Sequence, residues 1–180
     1  MSRFVALLRG INVGTANRVP MATLRELLSG LGYAQVATLL NSGNAAFSAS
    51  GSAVRHARAI AAALAAQLDV EVTVIVKTAA ELGAIVAANP IAIAAPDHSR
   101  FLVAFAQDAK SLATLTAVAP LVVPPERFAL GADAAYLFCA AGILESKAGS
   151  ALLGKAGRAA TTRNWATVLK LHALAAALRG

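Results

Sequence analysis

A single cysteine, Cys139, leaves this chain of 180 residues no internal disulfide to build on. It closes the apolar run Ala-Ala-Tyr-Leu-Phe-Cys, which predicts a buried structural thiol rather than a nucleophile. Aromatic residues are scarce, at 5%, and that counts against a platform on which bases could stack. No apolar run reaches the roughly 20 residues of a membrane-spanning helix; Arg58, Asn89-Pro90 and Asp133 interrupt the longest. Arg3 precedes the apolar Phe4 to Leu8, as in a signal peptide, but Arg9 ends that run early and no cleavage site follows. The stretch reads instead as the first strand of a cytoplasmic protein. His56, His98 and His172 are scattered, with neither cysteine nor carboxylate at ligand spacing, so no metal site and no cofactor is predicted. The carboxylates form no recognisable acid/base pair, and no nucleophile elbow is present, so the residues name no reaction.

Hydrophobic residues make up 58% of the chain, enough for a sizeable core and too many for disorder. Much of that fraction is alanine. The formal charge is +7 and unevenly spread. In residues 1–60 the arginines Arg3, Arg9, Arg18, Arg25, Arg55 and Arg58 face only Glu26, and no acid stands between Lys147 and Arg179. Basic ends around a mildly acidic middle point to an anionic partner, or to a protein that is merely basic.

Phe4 to Leu8 reads as a buried strand. Pro20 suits a helix start; Leu24, Leu27, Leu28 and Leu31 then fall on one helical face, and Gly32 can stop it. Val36 to Leu40 and Ala45 to Ser48 are predicted strands across the turn Asn41-Ser42-Gly43-Asn44. Ser52 caps a second predicted helix, and Val70 to Lys77 is a valine-rich strand. That order, β-α-β-β-α-β, is the ferredoxin-like plan, with an antiparallel sheet and helices on one face. Further on, the sequence predicts a helix over 79–88, a strand at 101–105 and a helix at 110–118. Strands at 127–130 and 134–139 pair across a turn, and a helix at 147–155 follows. Thr162 is read as the cap of a final helix through Leu178. The expected fold is therefore α+β: two ferredoxin-like lobes, residues 1–78 and 79–180, with a C-terminal helix. The second lobe reads as a β-α-β-β unit followed by helices.

Three segments carry a family resemblance. One is Ala-Leu-Leu-Arg-Gly-Ile-Asn-Val-Gly (Ala6 to Gly14), followed by Asn-Arg-Val-Pro-Met and a leucine-rich helix. The second is Ser42-Gly43-Asn44 before an apolar strand; the third is Ser146-Lys147 and then Thr161 to Leu171. In order and spacing, over nearly the whole chain, they resemble an uncharacterised bacterial family catalogued as domain of unknown function 1697. The resemblance implies an α+β fold and no established activity. Thr15 and Ala16 stand where the family usually has a second glycine and often a basic residue, and Ala148 stands where a leucine commonly follows Ser-Lys. An anion held by the loop would then depend on Arg9 or Arg18.

The loop from Gly10 to Pro20 is neither a Walker A nor a Rossmann signature. It is a glycine loop feeding a helix N-terminus, with arginines beside it, where backbone N–H groups can hold an anion. The alternative is a tight turn in which Asn12 and Asn17 cap backbone groups. Arg163, read at a helix N-terminus, asks for a compensating anion, either an internal carboxylate or a ligand. The candidate ligand-binding residues are Arg9, Gly10, Asn12, Gly14, Asn17, Arg18, Ser42, Asn44, Lys147, Thr162, Arg163 and Asn164. The reading they support is a basic site between the lobes for a phosphorylated or otherwise anionic small molecule. A nucleic-acid binder is the alternative, with Phe4 and Phe47 as the aromatics its sheet could offer. An enzyme acting on phosphoryl or acyl groups is the other, its bases stabilising developing charge.

Overall fold

A computed structural model describes residues 1–179. The chain divides into two compact units, Met1–Leu82 with Leu171–Gly180, and Gly83–Lys170.

The first unit follows the predicted order. Strand β1 (Ser2–Leu8), helix α1 (Met21–Gly30), β2 (Ala34–Leu39), β3 (Asn44–Ala49), α2 (Ala53–Leu68) and β4 (Val74–Thr78) build one sheet in the order β2-β3-β1-β4. Its pairs are antiparallel, and Phe4 stands opposite Phe47. Successive strand residues point to opposite faces. Phe4, Ala6 and Leu8, with Phe47 and Val76, therefore share one face, where Leu24 and Leu28 of α1 and Ile60 and Leu64 of α2 cover them. Ser52 caps α2 by accepting from the Arg55 N–H. The predicted strand from Val70 begins only at Val74. Asp69, at φ 53°, ends α2 in a left-handed turn. The Val70 N–H then returns to the Leu64 carbonyl, so Val70 is buried as part of the helix stop.

Residues from Leu171 onward belong to this unit. The Arg3 guanidinium donates to the Ala176 carbonyl. The Gln35 amide both donates to the Arg179 carbonyl and accepts from the Arg179 N–H. Ser48, adjacent to Phe47 and hence on the opposite sheet face, also donates to the Arg179 carbonyl. The C-terminal stretch thus lies on the face that α1 and α2 leave open.

The second unit repeats the strand order. Strands β5 (Phe101–Ala106), β6 (Arg127–Leu130), β7 (Ala134–Phe138) and β8 (Ala160–Asn164) pair as β6-β7-β5-β8, all antiparallel. Helices α4 (Ala109–Ala113) and α5 (Lys147–Leu153) belong to this unit, and α3 (Ala79–Ala87) and α6 (Trp165–Ala177) each have residues in both units. Strand β8 corrects the sequence reading. Thr162 is not a helix cap: it lies within β8, opposite Ala104 of β5. Its β-branched neighbourhood favours a strand, and the cap is Asn164, whose side-chain oxygen accepts from the Thr167 N–H. The second unit therefore also has a fourth strand, making a full β-α-β-β-α-β order. The predicted helix over 110–118 is α helix only to Ala113 and then a 3-10 helix, Thr114–Leu121. The Thr114 and Thr116 hydroxyls donate back to the Ser111 and Ala113 carbonyls, local bonds that compete with regular helix. Cys139 is fully buried, and burial raises its thiol pKa. Among the described residues no helix is long and apolar enough to cross a membrane.

Candidate anion site at the first loop

The loop between β1 and α1 is closed by its own amides. Gly10, Asn12, Gly14 and Asn17 all have positive φ, between 50° and 65°. Asparagine tolerates this backbone better than other side-chain-bearing residues do. Asn12 is the staple. Its side-chain N–H groups donate to the carbonyls of Val19 and Asn41, both at 2.8 Å, and its oxygen accepts from the Val19 N–H at 2.8 Å. Its backbone N–H donates to the Asn17 carbonyl. Ile11 and Val19, on either side of the loop, are buried. Arg9 donates its backbone N–H to Thr73, and partial burial lowers its guanidinium pKa.

Ser42-Gly43-Asn44 forms the adjoining turn. The Asn44 amide donates to the Leu39 carbonyl and to the Ser42 hydroxyl, and Asn44 is fully buried. Gly43 accepts from the Leu8 N–H. A Cβ there would lie 2.7 Å from Leu8 Cβ and 3.0 Å from Ile11 Cδ1. These residues fix the turn against the loop.

Helix α1 then starts without a side-chain cap. Pro20 precedes it, no acidic residue stands in its first turn, and the Leu24 N–H is the one that returns to Pro20. The N–H groups of Met21, Ala22 and Thr23 have no partner within the helix, and the helix dipole makes this end positive. Exposed Arg18 lies beside it. Together with Asn12, Pro20, Met21 and Asn41 it lines a cavity of about 380 Å³.

In the second unit the predicted residues have other partners. Arg163 is 8% exposed; it donates to the Thr161 hydroxyl and the Thr162 carbonyl, both at 2.7 Å, and burial pulls its pKa down to about 10. It belongs to β8 rather than to a helix turn, which removes the helix-end argument for an anion beside it. Asn164 caps α6. Lys147 opens α5 and lines a cavity of about 470 Å³ in company with Glu126 and Glu145, carboxylates that disfavour an anion. Phe4 and Phe47 are buried beneath α1 and α2, so neither offers a base a stacking face. Of the cavity residues, Asn41, Pro20 and Met21 were not among the candidates: Asn41 read as turn chemistry and Pro20 as a helix start, and only the fold brings Asn41 to Asn12. No three His, Cys, Asp or Glu among the described residues could hold a metal ion together.

Comparison with known proteins gives the same fold. A conserved bacterial protein, SP0830 from Streptococcus pneumoniae, superposes with a TM-score of 0.81 at 25% sequence identity, covering 97% of this chain and 98% of that one. No curated protein matches the chain. The model of one family, described as protein of unknown function (DUF1697), matches residues 1–136. That range holds the loop and the Ser-Gly-Asn turn, while Ser146-Lys147 and Thr161 to Leu171 lie beyond it. The chain therefore belongs to the DUF1697 family of bacterial proteins of unknown function.

Proposed function

We propose that the protein binds a phosphorylated or otherwise anionic small molecule in the cavity at the start of α1. One observation carries this reading: Arg18 and the uncapped first turn of α1 share that cavity, with no acid in the turn. Three N–H groups aligned with a helix dipole, next to a guanidinium, match the oxygens of a phosphate or carboxylate. The dipole contributes about 0.3–1 kcal/mol, and the charge-assisted bonds supply the rest of the selectivity. Asn12 acts as a positioning residue, since its amide is committed to Val19 and Asn41. Gly10, Gly14 and Asn17 serve through their backbone.

Thermal unfolding with inorganic phosphate, pyrophosphate, a nucleoside monophosphate and a sugar phosphate, at fixed ionic strength, tests the site. A selective ligand at a hundredfold excess over its Kd raises stability by about 2.7 kcal/mol. Arg18→Ala should abolish that gain, while Lys147→Ala should leave it. A full gain in Arg18→Ala overturns the reading. An equal gain with every polyanion, short RNA included, with a steep salt slope, favours non-specific nucleic-acid binding instead.

A further inference from the structure

A second cavity of the first unit, of about 470 Å³, is lined by Leu31, Tyr33, Ala49, Arg55, His56 and Ala59 among others. His56 is only 4% exposed and packs edge-on against Phe4, Tyr33 and Phe47. Tyr33 Oη lies 2.9 Å from His56 Nδ1. A phenol is the stronger donor of the pair, so this bond assigns Nδ1 as acceptor and leaves the hydrogen on Nε2. Nε2 is buried and, among the described residues, has no hydrogen-bond partner. Leaving a buried donor unpaired is costly, so it calls for an acceptor. A Cβ on Gly51 would sit 3.5 Å from Nε2 and from Cε1 and 3.8 Å from Arg55 Cδ, so the glycine adds no side chain of its own between that ring edge and Arg55. Independently, the first turn of α2 contains Arg55 and His56 and no acid, although a fixed cation is unfavourable at a helix N-terminus.

We propose that this cavity binds a small carboxylate with a short apolar tail, one oxygen accepting from His56 Nε2 and the other pairing with the Arg55 guanidinium. Two donors match two oxygens, and Leu31, Ala49 and Ala59 offer the tail an apolar wall. A phosphate would leave an oxygen facing that wall unpaired. Burial and the Arg55 charge both lower the His56 pKa, so the imidazole is neutral before the ligand arrives. Tyr33 and Arg55 face it, and Met1, which carries an α-amino group, also lines the cavity.

The test is an NMR titration of the full chain with hexanoate at neutral pH and fixed ionic strength, read at the His56 Cε1 proton, with hexanol and inorganic phosphate as comparators. Hexanoate should move the His56 signal saturably, leave His98 and His172 in place, and raise the His56 pKa when bound. Arg55→Ala, an exposed position, should weaken binding at least tenfold. Arg18→Ala should leave it unchanged, which separates this site from the one at α1. A His56 signal that does not saturate overturns the proposal, as does an equal response to hexanol or phosphate, or full binding by Arg55→Ala.

Discussion

Asn12 holds the first loop through three side-chain bonds and a backbone at φ 56°. Replacing it separates the two contributions. Asn12→Gly removes the bonds and keeps the backbone at ease, at a cost of about 1–3 kcal/mol. Asn12→Ala adds about 1 kcal/mol for the left-handed backbone. Urea unfolding of both variants measures the difference, and equal losses would mean that the backbone is unstrained. Gly43 is constrained differently: a methyl would meet Leu8 Cβ at 2.7 Å, at φ 85°. Gly43→Ala should therefore lose about 2–4 kcal/mol through overpacking and backbone strain together. The Asn and Gly of this region were legible in the sequence as turn chemistry. Their partners were not, because Val19 and Asn41 meet Asn12 only through the fold. His56 gave no signal of a site, since its ring neighbours Phe4 and Tyr33 are distant in sequence.

Helix α1 and the C-terminal stretch make their predictions at the level of elements. Ala22→Asp places a carboxylate in the uncapped first turn of α1. It should raise stability by about 0.3–1 kcal/mol, a gain that salt diminishes, and weaken anion binding at Arg18. A variant that gains stability but binds anions as before would place the ligand elsewhere. Gln35 clips the backbone of Arg179 at two points. Gln35→Ala should speed amide hydrogen exchange over the last turn of α6 and leave the exchange of α1 unaltered. Apolar periodicity made the first sheet and its helices readable, since Phe4 to Leu8 and the leucines of α1 carry it plainly. Strand β8 was hidden because Ala-Thr-Thr-Arg-Asn lacks an apolar alternation and stands directly before a helix. Its pairing with β5, distant in sequence, decides its conformation.

For the molecule as a whole, the buried imidazole is one group through which pH acts on stability. The folded state holds the His56 pKa below its usual 6.5. The unfolded chain thus takes up the proton first as pH falls, so the stabilising contribution is full above 6.5 and is lost as pH falls through the folded value. His56→Phe keeps a ring among Phe4, Tyr33 and Phe47 and should lack this loss. Denaturation curves from pH 8 to 5 compare the two, and parallel curves would assign the acid sensitivity to other groups.

The recruitment of residues beyond Leu171 into the first unit bears on biosynthesis. The second unit, Gly83–Lys170, is contiguous and has all its strands once its last residues leave the ribosome. The first unit has its four strands much earlier, yet one face of its sheet waits for the segment that supplies Ala176 and Arg179. Of these two units, the one made earlier is therefore completed after the one made later. During that interval its sheet depends on α1 and α2 alone, and this is when a nascent chain exposes a surface for chaperones to hold.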